Sequence, residues 1–211
     1  MVLKIDFHVH TCYSRDSSIT LKEVVSFAKK RGLDGVAITD HNTVKGALRL
    51  KTRDILVVPG IEVSTLEGHL LGINVTVPIA AKMGIEETIR RIHEAGGIAV
   101  APHPTAFYKS PPSRRVTSYD AVEVMNASSI PFLVLTYFSK RFADGLGLPQ
   151  TGGSDSHYAP EIGAAYTLVE ADSDVDEIAS AIKKGAVVPR GSGVPWKTRL
   201  ERTALSMKRK I

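Results

Sequence analysis

Seven histidines occur in this chain of 211 residues, and six stand where an apolar run begins or ends. His8 and His10 lie two apart in "KIDFHVHT", and Asp155 and His157 repeat that spacing in "GGSDSHY". Successive residues of a strand face opposite sides, so the members of each pair point the same way. His41 closes "GVAITDH", Glu62 lies near the end of "VVPGIEV", His69 opens "HLLGI", and His103 ends "IAVAPH" between Pro102 and Pro104. Imidazoles gathered on one face repel one another if protonated and need partners if buried and neutral. Divalent cations remove both problems. Imidazole with carboxylate suits Zn, Mn or Fe, and thiolate-selecting metals are not indicated. A lone HxH is a weak sign, whereas HxH with a distant DxH and further strand-end histidines is a strong one.

Other ionisable residues border this set. Asp16 follows the first pair in a polar loop, where a carboxylate is either a ligand or a turn-former. Asp40, just before His41, and Asp6, two before His8, are expected to support ligands from behind. Glu123 and Asn126 share one strand, and Glu123 reads equally as a mouth-lining acid or a paired structural one. His93 sits in a helix beside Arg90, Arg91 and Glu94 and reads as solvated helix face.

Groups this far apart in sequence need a scaffold that gathers them. Strand "LKIDFHV" precedes helix "TLKEVVSFAKKRG", with Thr20 as cap and Gly32 as stop. Strand "GVAITD", short helix "TVKGALRLKT", strands "ILVVPGIEVS" and "HLLGINVTV", helix "IEETIRRIHEAGG" and strand "IAVAPH" follow. Strand "AVEVMNA", helix "PFLVLTYFSKRFADG", strands "LPQTGGSD" and "AAYTLVE", and helix "SDVDEIASAIKKG" complete the pattern. The alternation predicts a parallel α/β fold, and roughly seven strand–helix steps fit a barrel better than an open sheet. In a parallel barrel the carboxyl ends of the strands converge on one face, which would collect the histidines. No glycine-rich dinucleotide fingerprint or P-loop follows the first strand. The loop "HPTAFYKSPPSRRVTSYD" is long and basic, a kind that often carries function.

Apolar (43%) and charged (23%) content is that of a soluble globular chain. No run is long enough for a membrane span. The one cysteine, Cys12, excludes an internal disulfide and fits a reducing cytoplasm, and no secretory signal is read. The net charge of +5 is concentrated at one end: residues 190–211 hold seven basic side chains and one acid. We therefore expect a barrel over 1–189 and a basic extension over 190–211. There Leu200, Ala204, Met207 and Ile211 form one helical stripe. It reads as a helix docked on the barrel with solvated Lys and Arg, Trp196 anchoring its turn. The alternative is contact with a nucleic-acid backbone or an acidic membrane surface.

In order, "FHVHTCYS", "AITDHN", "GIEVS…GHLLGI", "AVAPHP" and "GGSDSH" resemble the motifs of the PHP (polymerase and histidinol phosphatase) family, over residues 4 to about 188. The resemblance implies a distorted (β/α)7 TIM-like barrel with a trinuclear metal centre. One metal would take His8, His10, Glu62 and Asp155. A second would share Glu62 and add His69 and His103. A third would take Asp16, His41 and His157. The implied reaction is phosphoester hydrolysis by a metal-bridging hydroxide, with Asp155 and His157 counted as catalytic as well as ligating. Ser14 and Cys12 need not be nucleophiles, and Cys12 reads as a small structural residue. An anionic substrate calls for cations, and Arg15, Lys109, Arg114 and Arg115 are the candidates, with Tyr108 beside them. A solvated loop is the alternative for Arg114 and Arg115. The short span between His69 and His103, and the lack of an Arg beside Tyr108, depart from nucleotide-hydrolysing members. Small phosphate esters and polynucleotide ends both stay open as substrates. Hydrolysis of C–N or C–O bonds, and RNA binding without catalysis, are the competing expectations.

Overall fold

The computed structural model describes residues 1–208; residues 209–211, and with them the expected stripe position Ile211, lie outside the described residues. The first half runs β1 (Val2–Val9), α1 (Leu21–Lys30), β2 (Gly35–Ile38), α2 (Lys45–Arg49), β3 (Leu56–Thr65), β4 (Gly68–Ile73), α3 (Ile85–Glu94) and β5 (Ile98–Ala101). The second runs β6 (Ala121–Asn126), α4 (Phe132–Leu146), β7 (Gln150–Gly153), β8 (Ala165–Glu170), α5 (Val175–Lys183), β9 (Val187–Gly191) and α6 (Trp196–Lys208). Thr20 caps α1 as expected: its hydroxyl accepts from Glu23 N while the Glu23 carboxylate accepts from Thr20 N. Gly32, just beyond the helix, takes the left-handed conformation that ends it.

The strands form one sheet in the order β7-β6-β5-β4-β3-β2-β1-β8-β9, curled into a nearly closed barrel. Its seam lies between β1 and the segment after β7. There Val9 bridges Ser156 in parallel, Asp155 N donates to His8 O at 2.7 Å, and His10 N donates to Ser156 O at 3.0 Å. Gly153 makes the approach feasible, since a Cβ there would meet His8 Cβ at 2.5 Å and His8 N at 2.8 Å.

The α/β barrel is as expected, but the sheet is not parallel throughout. The pairs β1–β2, β2–β3, β5–β6 and β6–β7 are parallel, while β3–β4, β4–β5, β1–β8 and β8–β9 are antiparallel. Only Leu66 and Glu67 separate β3 from β4, too few for a crossover helix, so the two strands form a hairpin. The start of β4 therefore lies at the rim where its antiparallel neighbours β3 and β5 end, which brings His69 there. β9 is an unexpected strand that carries the chain across position 189 and pairs with β8.

Below the rim the barrel is apolar. Leu3, Ile5, Phe7, Val58, Leu71 and Val100 pack in one buried cluster. Val58 shares a strand face with Glu62, and Leu71 with His69, by the two-residue period. On β1 that period fails, because the register against β2 shifts between Asp6 and Val9. A shift of this kind re-aims side chains at a strand end.

The C-terminal helix departs from its expected packing. Leu200, Ala204 and Met207 are exposed, and so is Trp196. What docks α6 is the buried Arg199, whose guanidinium donates to the carbonyls of Val194, Ser128 and Ala127, each at 2.9 Å. Arg202 adds an ion pair to the buried Glu161 at 3.1 Å. A planar guanidinium donates to several carbonyls at once, which an apolar stripe could not do. No helix among the described residues is long and apolar enough to cross a membrane.

Candidate metal centre

The strand ends and the loops behind them bring all nine expected ligand residues to one rim. His8 Nε2 and His10 Nε2 lie 3.1 Å apart, and Asp155 Oδ1 is 3.6 Å from the first and 3.4 Å from the second. Glu62 faces the same pair, with Oε1 3.6 Å from His8 Nε2 and Oε2 3.3 Å from His10 Nε2. Glu62 Oε1 also lies 3.1 Å from His69 Nδ1 and 3.4 Å from His103 Nε2. Asp16 Oδ2 lies 3.4 Å from His41 Nε2 and 3.1 Å from His157 Nε2. His41 touches two groups, because its Nδ1 is 2.9 Å from Glu62 Oε2. Donors on a tetrahedral ion with bonds of about 2.0–2.1 Å stand roughly 3.3 Å apart, so these spacings suit such ions. Among the described residues the potential ligand clusters are His8–His10–Asp155, His41–Glu62–His69 and His10–His41–His157.

Outer partners orient the imidazoles. Glu123 Oε1 lies 2.9 Å from His8 Nδ1, which turns the Nε2 lone pair inward. Its other oxygen accepts from His103 N at 3.1 Å and from Asn126 Nδ2 at 2.9 Å. Ser14 Oγ donates to Asp40 at 2.8 Å and accepts from His41 N at 3.0 Å, with His10 Nδ1 at 3.2 Å. Glu161 Oε2 accepts from His157 N at 3.0 Å. Of these, Asp40 was expected to support a ligand; Glu123, Asn126 and Ser14 drew notice for other reasons, and Glu161 drew none. Ser14 sits in a loop and Glu161 in a single 3₁₀ turn (Ala159–Glu161), neither long enough to show a period, and Glu123 meets His8 only across the barrel.

The supporting acids act on backbone more than on rings. Asp6 accepts from Ser154 N and Gly163 N, both at 2.8 Å, and from His8 N at 3.2 Å, so it ties β1 to the segment after β7. Burial pushes its carboxyl up to about 6. Asp40 accepts from Thr11 N at 2.6 Å and reaches His10 only through Ser14. His103 (φ +36°) and Asp155 (φ +52°) occupy the left-handed region. Such strain costs on the order of 1–3 kcal/mol per residue and collects at functional sites.

Three buried carboxylates, Glu62, Glu123 and Asp155, share this rim with one close ammonium, Lys109, which pairs with Asp155 and lies 3.3 Å from Ser128 Oγ. Burial opposes ionisation of Glu62, yet His8 and then His103, His41 and His69 hold it well below the usual carboxylate range. Burial likewise opposes ionisation of Asp155, and Lys109 and His8 outweigh it. Burial and neighbouring His157 push His10 down to about 3, leaving the neutral imidazole that a metal requires. At His8 burial opposes protonation, but Glu123, Asp155 and Glu62 favour it. Carboxylates that would protonate an imidazole equally stabilise a cation bound beside it. The donor set therefore fits divalent ions.

An open cavity of about 780 Å³ borders His41, His69 and Asp16, with Tyr13, Arg15 and Lys45 on its walls. A second, of about 420 Å³, lies between Arg15, His157 and Arg202. Arg15 and Lys109 thus stand at the cluster. The other expected substrate contacts do not. Tyr108 Oη donates to Ile130 O at 2.8 Å and braces a loop, Arg114 lies over the Phe142 ring, and neither Arg114 nor Arg115 lines these cavities. Cys12 is exposed rather than structural. His93 pairs with Asp120 at 2.7 Å instead of standing free in solvent.

Two family models match the chain, one described as PHP domain over residues 6–135 and one as PHP-associated over residues 137–187. Uncharacterized protein MJ1587 of Methanocaldococcus jannaschii is 37% identical over 141 residues, which is 59% of this chain and 82% of that protein. A two-domain protein of Bacteroides vulgatus, described as containing a predicted PHP-like metal-dependent phosphoesterase, superposes with a TM-score of 0.76 at 18% identity. The superposition covers 91% of this chain, which spans 65% of the Bacteroides protein. PsfC of Pseudomonas syringae superposes with a TM-score of 0.74 at 18% identity over 98% of both chains. At that identity the two structures speak to the fold.

Proposed function

This chain belongs to the PHP family, and we propose that it is a phosphoesterase holding three divalent ions, of Zn, Mn or Fe, at the barrel rim. His8, His10, Glu62 and Asp155 hold one ion. Glu62, His69 and His103 hold a second. Asp16, His41 and His157 hold the third. When bound, such ions polarise the phosphoryl oxygens and lower the pKa of water toward neutrality. The protein's part is to fix the donors. Glu123 holds the His8 ring through Nδ1, and Ser14, backed by Asp40, steadies His10 and the backbone of His41. Arg15 and Lys45, exposed on the larger cavity, receive the charge of the phosphate ester. Lys109 neutralises Asp155 from the opposite side.

The observation that carries this reading is the convergence on Glu62 of five imidazoles from distant strands and loops, each within 3.6 Å of a carboxylate oxygen. A screen of aryl phosphate, nucleotides, histidinol phosphate and short oligonucleotides with Mn²⁺, run beside amide substrates, tests it. Phosphate-ester hydrolysis that chelation abolishes is the expected result. Cleavage of amides alone, or tight RNA binding with a steep salt dependence and no hydrolysis, would replace it.

A further inference from the structure

We propose that the outward face of α4 is a self-association surface on which a second copy of this chain docks. On α4, Leu133 and Val134 lie one turn before Tyr137 and Phe138, the pattern by which a helix normally faces its core, and Ile130 stands just ahead of the helix. Here the pattern faces solvent: Leu133 is 79% exposed, Tyr137 59% and Phe138 52%. The side that α4 buries instead carries Thr136, Ser139 and Ala143, small residues that let the helix lie close to the barrel. Thr105 Oγ1 fastens that side, donating to Leu135 O at 3.1 Å, with Ser139 Oγ 2.8 Å away.

The patch continues beyond the helix. Phe107, 84% exposed, stands edge-on to Tyr108, whose hydroxyl is bonded to the backbone of Ile130. These seven side chains together expose on the order of 800 Å², the area one partner contributes to a standard protein interface. Contiguous apolar surface of this size marks association sites rather than ordinary solvent-facing surface.

Charge chooses the occupant. Residues 130–138, "IPFLVLTYF", hold no ionisable cation or carboxylate, so they offer nothing to a phosphate backbone or an acidic lipid surface. The stripe runs about 8 Å along the helix, from Leu133 to Phe138. Two copies in antiparallel register about a two-fold axis near Val134 would set each Phe138 against the other's Ile130 and Leu133. One patch then serves both partners, as an isologous interface requires.

Sedimentation equilibrium of the full chain should give twice the monomer mass at micromolar concentration. Tyr137→Glu with Phe138→Glu should raise the dimer dissociation constant by more than about thirtyfold, with the circular dichroism unchanged. In a Cys12→Ser background, Val134→Cys should form an intermolecular disulfide across the axis, and this readout stands even where the glutamate variants fail to fold. A wild-type monomer at every concentration would overturn the proposal, whether its α4 face then captures another protein, a vesicle or nothing. A dimer that survives both glutamates, or a Val134→Cys chain that never cross-links, would overturn it too.

Discussion

His8, His10 and Asp155 are buried and locked by the backbone seam that closes the barrel, whereas Asp16 is half exposed on a turn and His41, His69 and His157 keep some contact with solvent. The inner donors are set by strands and by partners such as Glu123. The outer ones, His69 on β4 apart, depend on loops and on Asp16, which burial would raise but which His157 and His41 hold far below the usual carboxylate range. The difference implies two grades of metal site in the proposed centre, a retentive inner one and an exchangeable outer one.

Asp155→Asn strikes the inner half hardest. It removes an anionic ligand and leaves the Lys109 ammonium with Ser128 as its remaining close polar partner. Activity on an aryl phosphate should fall on the order of a thousandfold, about 4 kcal/mol of transition-state stabilisation. Metal analysis should show the inner ion missing. Full metal content with full activity would remove Asp155 from the site. Gly153→Ala attacks the same half through the fold, because its new Cβ would press on β1 where the barrel closes. Overpacking of this sort costs roughly 1–3 kcal/mol, and a thermal melt should show a drop of several degrees.

Glu123→Gln separates ring orientation from ligation. The carboxylate that holds His8 Nδ1 is replaced by an amide, and the inner ion should bind about 10–100-fold more weakly in competition with a chelator. Unchanged affinity would show that strand geometry alone aims the imidazole. Asp16→Asn should lower the metal content by one ion and leave the inner sites filled, with a loss of activity of about tenfold. A simultaneous loss of all metals would erase the distinction between the two halves.

Much of the inner half could be read in advance. HxH and DxH each declare a shared face through the two-residue strand period, and Thr20 with Glu23 declares a helix start. What stayed hidden depends on contacts across the barrel or on loops. Glu123 acquires its role from His8, 115 positions away. Strict alternation would put Asp6 on the face of His8 and His10, but the register shift in β1 sends it to the backbone at Ser154 and Gly163. The stripe on α6 is a helical period, yet Arg199 marks the side that docks, because its guanidinium donates to the carbonyls of Ala127 and Ser128 while the apolar side chains face outward. Periodicity reports that a helix has two sides and leaves open which one its neighbours want.

Arg15 and Lys45 give the smallest effects and the finest test of the outer half. Both are exposed, so solvent screens their attraction for a phosphate to about 0.5–1 kcal/mol each. Arg15→Ala and Lys45→Ala should each raise KM about two- to fivefold with kcat nearly constant. That penalty should shrink as salt is added, because the Debye length at physiological strength is already only about 8 Å. A fall in kcat from Arg15→Ala that persists in high salt would mean that the guanidinium is brought against the reacting phosphoryl group when substrate binds. The turn bearing Arg15 and Asp16 would then be part of the reacting site, and its exposure here would describe how substrate enters.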